Sequence, residues 1–585
     1  MTKSSVSIAI AGYGGTGVIT TGQLLLKAAS NAGYFGLAQR SFGPQIRGGE
    51  SLSLLRLANH PVQNPDDSLD LLVLLDCEHV ARFRQEVVLT PNTCVIIGHA
   101  EGAHTAPDFV TDSGATVIWM PLDEIAEKTA AGGENIVAAG LIASLLELPE
   151  NDFVDVVATH FRNKPELGDK AKGWIQSGLD AADDCRCAVN IELAENSSVK
   201  PSWLTNGSGA AAFGALKAGI RFVAAYPITP ASGVLEWLAP NIEKIGGRLI
   251  QAEDELASIN MIIGSSFGGV PSMTATSGPG LALMAESIGL AVASETPLLV
   301  FNVMRGGPST GIPTKSEQSD LNIALHGLHG DAPHIVTAAL SIADSAFTAG
   351  WSVWLAENLQ TPVIALSDQS IAQSDAAITQ PTLWHKEAKR LTAAASDEPY
   401  DRYALTESGI SPMAIPGEDE LMYTGDGLEH NAHGTPSAAA EHHQQQLDKR
   451  ANKLTEFDYG DHWADINGEG STVIICWGSV SSAAAEACKR LNESGTPCRV
   501  ISLRLLAPLQ TQALDHALVG VTRLLVVEQS HGAQFIAWIR SKMVFQCELH
   551  SLAIPGPLPI RPGMITDAIH QWDNINTERP HAVNS

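Results

Sequence analysis

Basic residues are scarce in this 585-residue sequence: 36 Lys and Arg stand against 64 Asp and Glu, a formal charge of −28. A surface of that sign repels phosphate backbones, which excludes nucleic-acid binding through a broad basic face. Any anionic ligand must then be gathered by a local pocket. Long hydrophobic runs are missing as well. No uncharged apolar stretch of about 18 residues, the length of a membrane span, stands out. The apolar run in MTKSSVSIAIAGYGG passes straight into a glycine turn, as a first buried strand does and a signal peptide does not. The expected compartment is therefore the cytoplasm. Of the eight cysteines only Cys185 and Cys187 are near neighbours. A lone CxC does not supply four ligands for a zinc or an iron–sulfur cluster. Most of the other cysteines lie in apolar runs such as VIICWG, where they pack as small hydrophobes. Neither a metal nor a cluster is expected in this chain.

What is present reads as α/β throughout, and the length calls for about three to four domains. Residues 1–195 open as strand, glycine turn and helix, with apolar strands following at LDLLVLLD and TCVIIG; strands separated by helical patterns imply a parallel sheet. A polar stretch, ELAENSSVKPS, reads as a linker. Residues 200–375 repeat the α/β logic, with polar residues placed where strands end, the position at which open α/β sheets bind ligands. Residues 376–465 lose the pattern and read as an extended connection containing one helix, SAAAEHHQQQLDKRANKL, whose His442 and His443 are expected to be solvated. Residues 466–585 return to strand–helix–strand as a smaller α/β domain.

Four motifs carry chemistry. Gly12-x-Gly14-Gly15-x-Gly17 follows a strand and opens a helix, a geometry that lets a backbone approach a phosphate. The acid that a dinucleotide site needs about 20 residues further on is absent from YFGLAQRSFGPQIRGGES, which favours a tight turn or another phosphate-bearing ligand. Arg47 and Gly48 in that stretch place a cation beside flexible backbone. Tyr226-Pro227-Ile228-Thr229-Pro230 presents a hydroxyl rigidly between two prolines after a strand. Glu253-Asp254-Glu255 starts a helix of small apolar residues, which complements the helix dipole and draws one acid toward an interior. A buried carboxyl facing a ring nitrogen is what thiamine diphosphate requires. Arg305, in a glycine-rich loop after a strand, suits a carboxylate clamp, with Ser309, Thr310 and Thr314 offering hydroxyls. By contrast Gly425-Asp426-Gly427 only imitates a magnesium–diphosphate motif: it follows LMYT in an irregular region, and no suitably placed Asn trails it.

In that order and spacing, YPITP, EDELASIN, TATSGPG and RGGPSTGIPTKSEQSDL resemble the α subunit of the 2-oxoacid:ferredoxin oxidoreductases, and GYGGTGVITTGQLL with SFGPQIRGGES is similar to the family's γ domain fused in front. The 2-oxoglutarate branch is the most similar. The resemblance implies a γ-type domain over 1–195, a pyrimidine-type thiamine diphosphate domain over 200–375, a connection over 376–465 and a transketolase-C-like domain over 466–585. It implies Glu255, rather than Glu253, as the acid activating the pyrimidine. Thr229 and Arg305 would meet the substrate beside Ser309, Thr310 and Thr314, with Tyr226, Pro227, Ile228 and Pro230 lining the cofactor. Coenzyme A would lie near Gly14, Gly15, Arg47 and Gly48. It further implies a β subunit carrying Mg2+ and a [4Fe–4S] cluster, an α2β2 assembly, and ferredoxin or a similar acceptor. A branched-chain or aryl 2-oxoacid enzyme and an NAD-dependent Rossmann oxidoreductase are the alternatives.

Overall fold

The computed structural model describes residues 2–43, 49–78, 80–189, 191–195, 199–394 and 399–577. The chain divides into two compact units, one comprising Met1–Asn206, Gln373–Gln380 and Arg561–Gly563 and the other Gly207–Ala372, Pro381–Ile560 and Met564–Ser585.

The first unit holds an eight-stranded sheet in the order Thr116–Trp119, Cys94–Ile97, Leu71–Leu74, Ser5–Tyr13, Glu50–Ala58, Phe35–Phe42, Asp375–Ile378, Trp203–Asn206. The first four strands are parallel, and every pairing beyond Ser5–Tyr13 is antiparallel. The expectation of a parallel sheet is thus corrected for half of its width. Parallel neighbours need a crossover of about a dozen residues or more, and residues 43–49 are too few to provide one, so Phe35–Phe42 and Glu50–Ala58 pair as antiparallel neighbours. One consequence is decisive for the glycine motif. The strand after helix Val18–Asn31 does not lie parallel beside Ser5–Tyr13, because Glu50–Ala58 stands between them. The βαβ unit that an NAD site is built on is not formed. The glycines serve a tight turn: Gly17 has φ 78°, and a Cβ there would stand 2.4 Å from Asn135 Nδ2.

The second unit contains two sheets. The larger runs Arg248–Gln251, Phe222–Ala225, Ser272–Thr276, Leu298–Met304, Pro362–Asp368, Ile335–Ala338, Leu505–Ala507, parallel except for the last strand. Leu298–Met304 and Pro362–Asp368 are buried along their whole length, as central parallel strands covered on both faces must be. From Phe222–Ala225 the chain steps to one side and then to the other. Such a reversal, at the carboxyl ends of Phe222–Ala225 and Ser272–Thr276, is where open α/β sheets bind their ligands. The smaller sheet has five strands, Ala464–Gly468, Cys498–Leu503, Thr472–Trp477, Arg523–Glu528 and Glu548–Ala553, of which only the first pairs antiparallel. Among the described residues no helix is long and apolar enough to cross a membrane.

The connection contains the expected helix, Ala440–Thr455, but its basic side chains turn inward. Lys449 and Lys453 are 5% and 4% exposed, and both ammonium groups bond the fully buried Glu295 carboxylate. Arg402 Nη2 donates to the Glu295 carbonyl at 2.9 Å. His443 is exposed, as expected, with Nδ1 2.6 Å from Glu429 Oε2, while His442 is half-buried, with Nδ1 2.8 Å from Ser437 Oγ. Burial works to raise the Glu295 pKa, but Lys453, Lys449 and Arg402 together hold it well below the carboxylate range. Burial also pushes Lys449 down to about 8 against the pull of Glu295. Glu295→Gln leaves two buried ammonium groups without a counter-charge, and a loss of about 3 kcal/mol of stability is expected in denaturant unfolding at pH 7. The folded pKa is depressed, so the contribution is complete above the ordinary value of 4.5 and fades as the pH falls below it. The gap between variant and parent should therefore narrow in acid.

Candidate active site at the strand ends of the second unit

Of the three acids that open helix Glu255–Phe267, only one is held in the interior. Asp254 is consumed as the N-cap, its Oδ1 accepting from the Ala257 amide at 2.7 Å. Glu253 is exposed. Glu255 is 7% exposed, and among the described residues nothing hydrogen-bonds its carboxyl group. Its side chain lies against the start of helix Gly278–Ala293. A Cβ at Gly280 would stand 2.7 Å from Glu255 Cγ and 2.1 Å from Thr276 Oγ1, so the TSGPG turn must be small here to admit the acid.

Arg305 follows Leu298–Met304 directly and is 6% exposed. Its Nη1 donates to the Thr229 carbonyl at 2.5 Å, which ties it to the YPITP turn two strands away. Its Nε is buried without a partner. Burial lowers the guanidinium pKa and nearby Asp320 opposes that shift. Asp320 is the residue that sequence reasoning missed. It is 8% exposed, Oδ2 accepts from Asn302 Nδ2 at 2.9 Å, and Oδ1 accepts from Ser319 Oγ at 3.2 Å. Burial raises its pKa; the bonds from Asn302 and Ser319 and the charge of Arg305 act against this. A Cβ at Gly278 would come within 2.6 Å of Asp320 Oδ1. The only sequence signal was an acid at the end of SEQSD, just before a short helix, where it passes for a helix cap.

The remaining candidates are distributed unevenly. Thr229 and Pro227 are exposed, Tyr226 is 41% exposed, Ile228 is half-buried and Pro230 is buried. Ser309 and Thr310 stand exposed on the loop after Arg305, Ser309 with a left-handed φ of 57°, and Thr314 is half-buried. Gly14 and Gly15 belong to the first unit, while Arg47 and Gly48 lie outside the described residues. Gly425-Asp426-Gly427 follows no strand, and Asp426 Oδ1 accepts from the Leu428 amide at 2.9 Å. In sum, these strand ends bring an acid buried without a partner among the described residues and a guanidinium only partly bonded, groups whose chemistry fits a ring nitrogen and an organic carboxylate.

Residues 7–181 match the family model for pyruvate ferredoxin/flavodoxin oxidoreductase, 213–449 that for the thiamine diphosphate-binding region of pyruvate flavodoxin/ferredoxin oxidoreductase, and 461–546 that for the transketolase C-terminal domain. The α subunit of a 2-oxoacid:ferredoxin oxidoreductase from a Sulfolobus species is 31% identical over 90% of this chain and 91% of its own. The chain belongs to the α subunits of the 2-oxoacid:ferredoxin oxidoreductases. Within this family, the 2-oxoglutarate oxidoreductase subunit KorA of Mycobacterium tuberculosis is 29% identical over 86% of this chain and 82% of its own. The solved 2-oxoglutarate:ferredoxin oxidoreductase from Magnetococcus marinus, with 2-oxoglutarate, coenzyme A and succinyl-CoA bound, superposes with a TM-score of 0.90 at 32% identity, covering 97% of this chain and 99% of that one. The resemblance drawn from YPITP, TATSGPG and the Arg305 loop is thereby borne out, as is the α/β multidomain fold with thiamine-binding and transketolase-C parts. The chain is a subunit of an oxidoreductase.

Proposed function

We propose that this α subunit, assembled with a β subunit as a cytoplasmic α2β2 enzyme, oxidatively decarboxylates 2-oxoglutarate to succinyl-CoA and passes the electrons to ferredoxin. The observation that carries the reading is the buried Glu255 carboxyl, unpartnered among the described residues and packed beside the TSGPG turn at the sheet's topological reversal. Thiamine diphosphate, when bound, supplies the carbanion centre and electron sink that decarboxylation of a 2-oxoacid requires. Glu255 holds a proton toward the pyrimidine ring nitrogen, and Tyr226, Pro227, Ile228 and Pro230 present the wall against which the cofactor rests. Arg305 takes the 2-oxoacid carboxylate through the part of its guanidinium that the Thr229 carbonyl leaves unbonded, while Thr229 fixes the other side. Ser309, Thr310 and Thr314 supply hydroxyls to the same substrate, and Gly14, Gly15, Arg47 and Gly48 are the candidates for coenzyme A.

Mg2+ and the [4Fe–4S] cluster are assigned to the β subunit, in keeping with the irregular setting of Gly425-Asp426-Gly427 in this chain. Leu256, Met261 and Leu283 are 48%, 41% and 51% exposed on the two packed helices flanking Glu255, and a β subunit would cover them. The tagged chain, captured from its native extract, should bring down a second polypeptide rich in cysteine and carrying iron. Capture of the chain alone, at full stability, would contradict the assembly.

A further inference from the structure

The loop that leaves Arg305 returns to the body of the second unit at Gln318, Ser319 and Asp320. Its own ladder is thin: Gly306 N donates to Lys315 O at 3.1 Å and Ile312 N to Gly306 O at 2.8 Å. Ser309, Thr310 and Ile312, toward its tip, are exposed. Its base is gripped by the smaller sheet. Gln318, 1% exposed, donates its amide to Gln529 O at 2.8 Å, accepts the Gln529 amide at Oε1 at 2.8 Å, and donates Nε2 to Trp477 O at 2.7 Å. Gly478, at φ 65°, makes room for this, since a Cβ there would stand 2.5 Å from Gln318 Nε2. Gln534, half-buried on the next helix, donates Nε2 to Ser319 O at 3.1 Å and accepts the Asn322 amide at 2.9 Å. One further bond closes the path: Ser319 Oγ donates to the Arg305 carbonyl at 2.7 Å.

We infer that Gln318 is a positioning residue for the 2-oxoacid site: through it the C-terminal sheet fixes the loop base, and through Ser319 the base fixes Arg305. The inference rests on the proposed role of Arg305 as the carboxylate clamp. It gives the transketolase-like domain, which supplies none of the site residues, a direct share in substrate binding. A guanidinium that must present one free donor at a fixed angle is sensitive to small shifts of its backbone, and misplacement by about 1 Å costs up to about 100-fold. Three satisfied hydrogen bonds on a buried glutamine also stabilise the fold, so the test must separate the two roles.

Kinetics of the complex assembled with its partner chain, with 2-oxoglutarate varied, make that separation. Gln318→Ala is expected to raise KM about tenfold while kcat changes by less than about threefold. Arg305→Gln raises KM by itself, and adding Gln318→Ala to it should raise KM no further, because both act through one interaction. If Gln318→Ala does not fold, Gln534→Ala removes two bonds at a half-buried position, with an expected rise in KM of about threefold, again lost in the Arg305→Gln background. A KM unchanged by Gln318→Ala, or an effect that adds in full to that of Arg305→Gln, overturns the positioning role and leaves the clamp standing. An unchanged KM in Arg305→Gln itself removes the clamp, and this inference with it.

Discussion

Glu255→Gln is expected to cost the assembled enzyme about 10³-fold in kcat, within the range that a positioned acid contributes, with folding and partner binding intact. The substitution preserves shape and removes only the carboxyl group's ability to hold and release a proton. The site is built for the acid: Gly280 is small where the side chain passes, and among the described residues no donor occupies the carboxyl group. Glu253→Gln is the matched comparison, since Glu253 is exposed one residue before the cap. Its kcat should stay within about threefold of the parent, the size of an ordinary surface change. The reverse pattern, with Glu253→Gln inactive and Glu255→Gln active, would move the catalytic acid to the exposed position and make the burial of Glu255 a matter of packing.

Arg305→Gln is expected to raise the KM for the 2-oxoacid about 100-fold, the worth of one charge-assisted hydrogen bond of about 2–3 kcal/mol. Arg305→Lys should recover little of this, because a lysine ammonium cannot reach the Thr229 carbonyl and a substrate carboxylate with the same planar fork. Removing the guanidinium also leaves Asp320 buried without the charge that opposes its neutralisation. Asp320→Asn in the Arg305→Gln background should therefore recover stability without recovering KM. Thermal unfolding beside steady-state kinetics separates the two effects. An Arg305→Gln enzyme with unchanged KM would mean that the guanidinium serves only to brace the YPITP turn.

Much of this site was legible in the sequence because strand-end motifs are local. Rigid prolines after Phe222–Ala225, glycines after Ser272–Thr276 and an arginine after Leu298–Met304 each declare a loop, and the three strands are neighbours in one sheet. What escaped depends on partners distant in sequence. Glu295 and Lys449 are 154 residues apart, so nothing in the connection's helix showed that its lysines form half of a buried ion cluster. Asp320 carried no sequence signal beyond its place before a short helix, because its carboxylate meets Asn302 and the charge of Arg305 only after the sheet assembles. The antiparallel half of the first sheet was hidden for another reason: burial pattern records which residues face a core, not the direction in which neighbouring strands run. In the Glu253-Asp254-Glu255 run, spacing left open which acid is interior; in the structure Asp254 caps the helix and Glu255 is the one buried.

The most direct measurement is reduction of a low-potential dye by the complex purified through this chain, with 2-oxoglutarate, coenzyme A and thiamine diphosphate omitted one at a time. Reduction that requires all three and yields succinyl-CoA is the expected result. Reduction driven by a branched-chain or aryl 2-oxoacid but not by 2-oxoglutarate would contradict the substrate assigned here, and reduction independent of thiamine diphosphate would contradict the chemistry assigned to Glu255.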